Sequence, residues 1–470
     1  MPGIGSRIRA ALRTPPMRFQ VRGVRFLEAL NGRAIIGDEM GLGKTLETIA
    51  WMCLHPEARP AIIVCPSTVK EVWLRQIREH TPHMDATVLE GRSTYHGTLR
   101  SGIAIINYDI LQHWADRLIS LGPRLLVIDE CHRIANHKAN RTRACISIGR
   151  IAKHVIALSG TPIVNRPIEF FSALNLIAPA AFPSRWKYAM QYCNPKIGYG
   201  GHWNFNGASH VEELHERVSK LMIRRTKDEV LKDLPPKTRT TIPVEVDNRA
   251  DYEEAKADFL QWLEDRKGED AANRAAGALA LVRLGGLKRI AAEGKMKTAI
   301  TWIREWTEDT DQKLVIFAIH RSIVEMLQEA FPGSPCVYGG VSASKRTEAV
   351  DRFQNDPKCQ LFIGNIKSAG EGITLHSAAN ELFLEIGWTP AEHDQAEDRI
   401  RRIGQTAKHI NIYYMVAQNT IEEHVLDVIE AKRRLVNRVV DGYEGEQVAT
   451  EVISYLKNPA KGITCRQRRQ

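Results

Sequence analysis

The stretch Gly37-Asp38-Glu39-Met40-Gly41-Leu42-Gly43-Lys44-Thr45 combines residue types that can hold a phosphate chain. Backbone N–H groups of a glycine-containing loop and of the helix after it present partial positive charge. Lys44 can reach the outer phosphates, and the Thr45 hydroxyl suits Mg²⁺. One position departs from the usual loop: Asp38 stands where Gly is common, so the loop is expected to bend differently rather than fail. Asp129-Glu130-Cys131-His132 supplies two adjacent carboxylates. Asp129 suits a hard cation bridging phosphates, and Glu130 could polarise an attacking water. Ser159-Gly160-Thr161-Pro162 offers hydroxyls placed to sense a γ-phosphate. Arg399 and Arg402, three apart in Gln395–Gln405, share one face of an expected helix and can clamp a γ-phosphate. The loop Gly370-Glu371-Gly372 precedes them. Gln20, shortly before the phosphate loop, carries an amide that can read an adenine edge. The plain alternatives are a turn after a core strand, an acidic pair capping a helix, a solvated basic helix and a surface Gln.

These residues need elements to position them, and the chain supplies a consistent set. Apolar runs at Ala34–Ile36, Ala61–Cys65, Ile103–Tyr108, Leu125–Ile128 and Val155–Leu158 alternate with helical patterns such as Leu46–Cys53 and Val69–His80. This alternation predicts an α/β fold with a mainly parallel sheet, whose ligands sit off the carboxyl ends of the strands. The polar segments named above follow those ends. A second alternation starts at Lys313, with strands at Leu314–Ile319, Cys336–Tyr338, Leu361–Ile363, Glu381–Ile386 and Ile410–Val416, and has no second phosphate loop. The expected organisation is a flexible basic N-terminus over 1–14 and a first lobe over 15–235 with an insertion at about 165–235. A second lobe covers 236–440 with a helical insertion at about 250–310, broken at Gly285-Gly286 and Gly294, and a tail covers 441–470. In the first insertion, Trp186, Tyr188, Tyr192, Tyr199 and Trp203 are read as a satellite core rather than a DNA-facing knob, because aromatics usually pack. The segment 420–440 reads as an amphipathic basic helix and the last residues as disordered.

Composition sets outer limits. The 470 residues exceed what one core usually serves. A net charge of +10 and a pI near 9.2 favour a polyanionic partner, nucleic acid first, with a solvated basic surface as the plain alternative. No apolar run is long enough to cross a membrane, and the basic N-terminus lacks a signal core. Eight cysteines without a Cys-x-x-Cys pair read as buried thiols of a reducing compartment.

Together these motifs, in their order, resemble the Swi/Snf family of DNA-translocating ATPases within helicase superfamily two, from about Pro16 to about Arg438. The quoted motifs, with Arg224-Arg225-Thr226-Lys227, carry the likeness, and Asp38 is usual in that family. Ala178–Pro183, Gln191-Tyr192-Cys193 and Gln395–Arg399 are similar to its annealing-helicase, or HepA-related, branch. The resemblance implies two RecA-like lobes with mainly parallel sheets flanked by helices, and ATP with Mg²⁺ in the cleft between them. It implies adenine reading by Gln20, phosphate and metal binding by Lys44 and Thr45, metal binding by Asp129, a base at Glu130 and arginine fingers at Arg399 and Arg402. Gly37, Asp38, Glu39, Met40, Gly41, Leu42, Gly43, Gly370 and Gly372 would line the nucleotide. Ser67, Asn107, Gly339, Gly340, Thr374 and Trp388 would lie along a DNA track. The implied activity is DNA-dependent ATP hydrolysis driving movement on, or remodelling of, duplex or branched DNA in a sequence-tolerant way, with annealing in repair, replication or recombination as one form. A strand-separating DNA or RNA helicase and a non-catalytic DNA-binding scaffold are the alternatives, and membership of a larger complex stays open. The expected location is intracellular: cytoplasmic for a bacterial or phage source, which the compact size favours, and nuclear for a eukaryotic one.

Overall fold

Short runs of β-branched and apolar residues form the backbone of the structure. In the computed structural model, which describes residues 3–92, 102–160, 167–197, 203–205, 207–265, 274–366 and 373–436, they assemble into two parallel sheets. The chain divides into two units, one running to Asp233 and one starting at Leu234.

In the first unit the strands are β1 (Arg33–Ile36), β2 (Ala61–Cys65), β3 (Ala86–Val88), β4 (Ile103–Asn107), β5 (Leu125–Ile128), β6 (His154–Leu158), the hairpin strands β7 (Lys196–Ile197) and β8 (Trp203–Asn204), and β9 (Met222–Ile223). Seven of them pair in the order β3-β4-β2-β5-β6-β1-β9, and every pairing is parallel. The central strands β2, β4, β5 and β6 are buried at every position, as a sheet covered on both faces requires. Two cores lie on its two faces, one around Trp51 and Trp73, the other around Trp114, Tyr188 and Tyr192. Because all the strands run the same way, the residues after β1, β2, β4, β5 and β6 emerge along a single edge.

The second unit contains β10 (Lys237–Val244), β11 (Leu314–Ala318), β12 (Cys336–Val337), β13 (Leu361–Asn365), β14 (Asn380–Phe383) and β15 (Ile410–Ala417), in the order β10-β15-β14-β11-β13-β12, again all parallel. The α/β architecture with mainly parallel sheets is therefore present in both units. Only the hairpin of β7 and β8 pairs antiparallel among the described residues. No helix among them is long and apolar enough to cross a membrane.

Four expectations are corrected. Residues 1–14 were expected to be flexible, but Ile4–Ala11 is a helix whose Ile8 is fully buried, with Leu12 beside it in the Trp51 core. The helix Arg274–Gly294 runs unbroken through Gly285-Gly286, because burial of Leu284, Leu287 and Ala291 outweighs the weak helix propensity of glycine. The helix expected over Gln395–Gln405 is Pro390–Glu397, and turns follow it. Finally, the insertion aromatics divide: Tyr188 and Tyr192 are core residues, whereas Trp186 and Trp203 are 52% and 41% exposed. Tyr199, Thr161, Pro162, Gly370, Gly372 and the tail after Val436 lie outside the described residues.

Candidate active site

The phosphate-loop motif leaves the carboxyl end of β1 and enters the helix Lys44–Leu54. Gly41 and Gly43 hold left-handed backbone, at φ 85° and 84°, which only glycine adopts cheaply. A Cβ on Gly43 would also fall 2.4 Å from Gln20 Nε2. Gln20 is 3% exposed; its Oε1 accepts from Met17 N–H and its Nε2 donates to the Leu42 carbonyl at 3.0 Å. The amide thus braces the loop directly. Lys44 Nζ donates to the Asp38 carbonyl at 2.7 Å, which keeps the ammonium over the loop.

The Asp38 side chain points elsewhere. It is fully buried and paired with Arg225, which donates from Nε to Oδ1 at 3.0 Å and from a terminal nitrogen to Oδ2. The same nitrogen reaches both oxygens of fully buried Glu47, at 2.8 and 3.0 Å. Burial pushes the Glu47 carboxyl well above its ordinary range, against the pull of Arg225. This explains an Asp in the usual Gly position: its carboxylate is a structural anchor. Glu39 also faces this segment, accepting from Lys227 N–H at 2.7 Å. Residue-type reasoning assigned Arg225 and Glu47 no role; a buried guanidinium shared by two distant carboxylates has no signature in spacing.

Asp129 and Glu130 follow β5, which lies two strands from β1 across β6. Asp129 Oδ2 accepts from the Trp73 indole N–H at 2.8 Å, and its carbonyl accepts from the Tyr108 hydroxyl. Burial and the neighbouring Glu130 carboxylate push the Asp129 carboxyl up to about 6, opposed by the Trp73 N–H and the Lys44 ammonium. Lys44 is thus within electrostatic reach of Asp129. Glu130 adopts left-handed backbone at φ 53°, a strained state for a residue with a Cβ that often marks a working site. Its Oε2 lies 3.4 Å from His132 Nδ1. Ser159 follows β6 and is buried, and a Cβ on Gly160 would sit 3.5 Å from Lys44 Nζ. The structure therefore brings together Lys44, Asp129, Glu130 and Gly160 at one sheet edge. Hard oxygen donors at Thr45 and Asp129 beside an ammonium fit a Mg²⁺–triphosphate better than a soft metal.

In the second unit, Arg399 and Arg402 leave the turns after Glu397, not a helix. Their guanidiniums still converge, both donating to the Ile373 carbonyl, at 3.2 and 3.3 Å. Fully buried Glu397 explains the early helix end: it is tied to Lys237, Arg239 and Tyr414. Of the residues assigned to a DNA track, Ser67 follows β2 and is exposed, and Asn107 ends β4, buried, with Nδ2 3.3 Å from Asp109. Gly339 and Gly340 form an exposed turn after β12, Gly340 at φ 98°, and Thr374 is half-buried beside Ile373.

Trp388 is half-buried under Lys288, whose Nζ lies 4.1 Å from the ring centroid and donates to the Ile386 carbonyl. Burial pulls the Lys288 ammonium down to about 8, below the roughly 10.4 of a lysine in unfolded chain. Between those values the unfolded chain binds more protons, so this contribution to stability improves as pH rises. In denaturant titrations the native protein should gain stability relative to Lys288→Met from about pH 8 upward; parallel pH curves would contradict the burial assigned to Lys288.

Comparison with known proteins gives two family matches along the chain. The SNF2-related domain matches residues 19–277, more than half of the chain, and the helicase conserved C-terminal domain matches residues 294–404. The mouse DNA annealing helicase and endonuclease ZRANB3 is 31% identical over 454 residues, covering 94% of this chain and 42% of its own. The SWI/SNF-related matrix-associated actin-dependent regulator of chromatin subfamily A-like protein 1 of Xenopus tropicalis is 30% identical over 469 residues, covering 98% and 48%. The chain thus spans less than half the length of these relatives. The solved Sulfolobus solfataricus SWI2/SNF2 ATPase core in complex with dsDNA is 25% identical, covers 90% of this chain and 92% of its own, and superposes with a TM-score of 0.45.

Proposed function

The chain belongs to the SNF2-related family, and on that premise we propose that it is a DNA-dependent ATPase that moves on or remodels DNA. The observation that carries this reading is the gathering of Lys44, Asp129, Glu130 and Gly160 at the carboxyl edge of one parallel sheet, with the loop braced by Gln20. Bound Mg²⁺–ATP would supply the phosphoanhydride whose hydrolysis drives the motion. Lys44 and the loop N–H groups bind the phosphates, Thr45 and Asp129 hold the metal, and Glu130 takes the proton of the attacking water. Trp73 and Tyr108 fix Asp129 from behind. Arg399 and Arg402, aimed together by one shared acceptor, neutralise γ-phosphate charge.

DNA grip is assigned to phosphate contacts, which makes it sequence-tolerant and weaker as salt rises. The name of one relative, a DNA annealing helicase, favours annealing as the finer activity. ATPase rates measured without nucleic acid and with single strand, duplex, forked DNA and RNA test the reading. Stimulation by duplex or forked DNA is the expected result; an equal rate in all five would overturn it. Displacement of a third strand without unwinding the duplex beneath would separate translocation from strand separation.

A further inference from the structure

The two tryptophans that fail to enter the core form a patch of their own. Trp186 lies at the start of the helix Arg185–Tyr192, and Trp203 in the hairpin strand β8. Trp186 meets Trp203 edge-on at 5.8 Å between centroids and Phe205 at 5.6 Å, while the Trp203 and Phe205 rings lie within 12° of parallel at 6.3 Å. Phe205 packs against the core and anchors the cluster; the two indoles keep half their surface in water. Exposed indoles of this kind are unfavourable unless something covers them.

Charge identifies what would. No Asp or Glu occurs between Glu169 and Glu212. Arg185 and Lys187 adjoin Trp186 in the chain, Lys196 pairs across the hairpin with Asn204, between Trp203 and Phe205, and both lysines are exposed. Lys138 and Arg143 stand near Arg185: with burial, the three cations hold the His137 imidazole below its ordinary pKa. A protein partner matching this patch would need acids placed against each cation and apolar groups against each ring. An unpaired nucleic-acid strand carries both features at every nucleotide, a phosphate and an aromatic face. Trp203 in β8 and Phe205 just after it hold their rings nearly parallel with centroids 6.3 Å apart, so successive bases of an extended strand can meet successive rings. Duplex DNA, with its bases stacked inside, offers these rings nothing.

We propose that Trp186, Trp203 and Phe205, with Arg185, Lys187 and Lys196, form a stacking platform for an unpaired nucleic-acid strand, separate from the ATP site. The platform rests on the nucleic-acid reading above and adds a specificity to it: recognition of the single-stranded arm of a branched substrate.

The test is nucleotide-free equilibrium binding of the full chain to a fluorescent oligothymidylate and to a blunt duplex. Trp186→Ala with Trp203→Ala should weaken single-strand binding about tenfold or more and leave duplex binding within about twofold. Trp186→Phe with Trp203→Phe should restore most of it, since a phenyl face still stacks. Lys187→Glu with Lys196→Glu, both on the surface, should weaken single-strand binding several-fold without touching a ring. Unchanged single-strand affinity in the alanine pair, or an equal loss on the duplex, would overturn the platform. Because no ATP is present, that failure would leave the ATPase reading standing, and loss of DNA-stimulated hydrolysis in the native chain would be seen separately.

Discussion

Glu130→Gln lowers DNA-stimulated ATP turnover roughly 10²–10⁴-fold, the range expected when a positioned general base is lost, and leaves nucleotide-free DNA binding unchanged. The substitution keeps shape and removes only the ability to accept a proton. Lys44→Ala produces a comparable loss of turnover by a different route, because it withdraws the ammonium that sits over the loop and reaches Asp129. The two variants separate in nucleotide affinity: Lys44→Ala weakens it, and Glu130→Gln does not. Steady-state hydrolysis beside equilibrium binding of a fluorescent ATP analogue reads both effects. A variant of either kind that still turns over at the native rate would remove the roles assigned to these side chains.

The parts of this site that could be read from residue order are those that depend on local chemistry. Phosphate loops, strand-end carboxylates and apolar strands repeat at short range, so Gly41, Gly43, Lys44 and Asp129 fall at strand ends in the structure, where the polar tips were expected. What residue order hid are bonds between distant segments. Gln20 could be singled out, but not its bonds to Met17 N–H and the Leu42 carbonyl, which brace the loop. Trp73 falls inside the helical pattern Val69–His80, yet its indole N–H fixes Asp129 from more than fifty residues away. The helical period across Arg399 and Arg402 was misleading for the same reason. Glu397 is drawn into a buried cluster with Lys237 and Arg239, the helix stops there, and convergence of the two arginines is achieved by a carbonyl at Ile373 instead. The exposed tryptophans invert the usual rule that aromatics pack, and only the fold could show which two of the four described aromatics do so.

Arg225→Met should lower the thermal midpoint of the first unit by roughly 10 °C, the equivalent of about 3–5 kcal/mol for removing one partner of a buried ion pair in a domain of this size. The guanidinium binds Asp38 and Glu47, both fully buried, accepts no substitute in its fork geometry, donates to the Phe19 carbonyl and lies 5.3 Å from the Phe19 ring centroid. It therefore ties the helix Arg18–Ala29, the phosphate loop and the helix Lys44–Leu54 to the segment after β9. Without it two carboxylates face each other in a dry site and take up protons that the unfolded chain would release near neutral pH. The folded variant then binds more protons than the unfolded one, so its stability falls as pH rises, and the deficit should shrink in acid. Gly23→Ala attacks the same cluster from the other side, because its Cβ would sit 1.7 Å from Glu47 Oε2 and 2.9 Å from Arg225; overpacking of this severity should also lower the midpoint. Adding Asp38→Asn and Glu47→Gln to Arg225→Met should recover much of the lost stability, since no buried charge then remains unpaired. Turnover should stay low in that triple variant, because the loop would no longer be held by a bidentate ion pair. A midpoint unmoved by Arg225→Met would mean that the loop is held by its glycines and Gln20 alone.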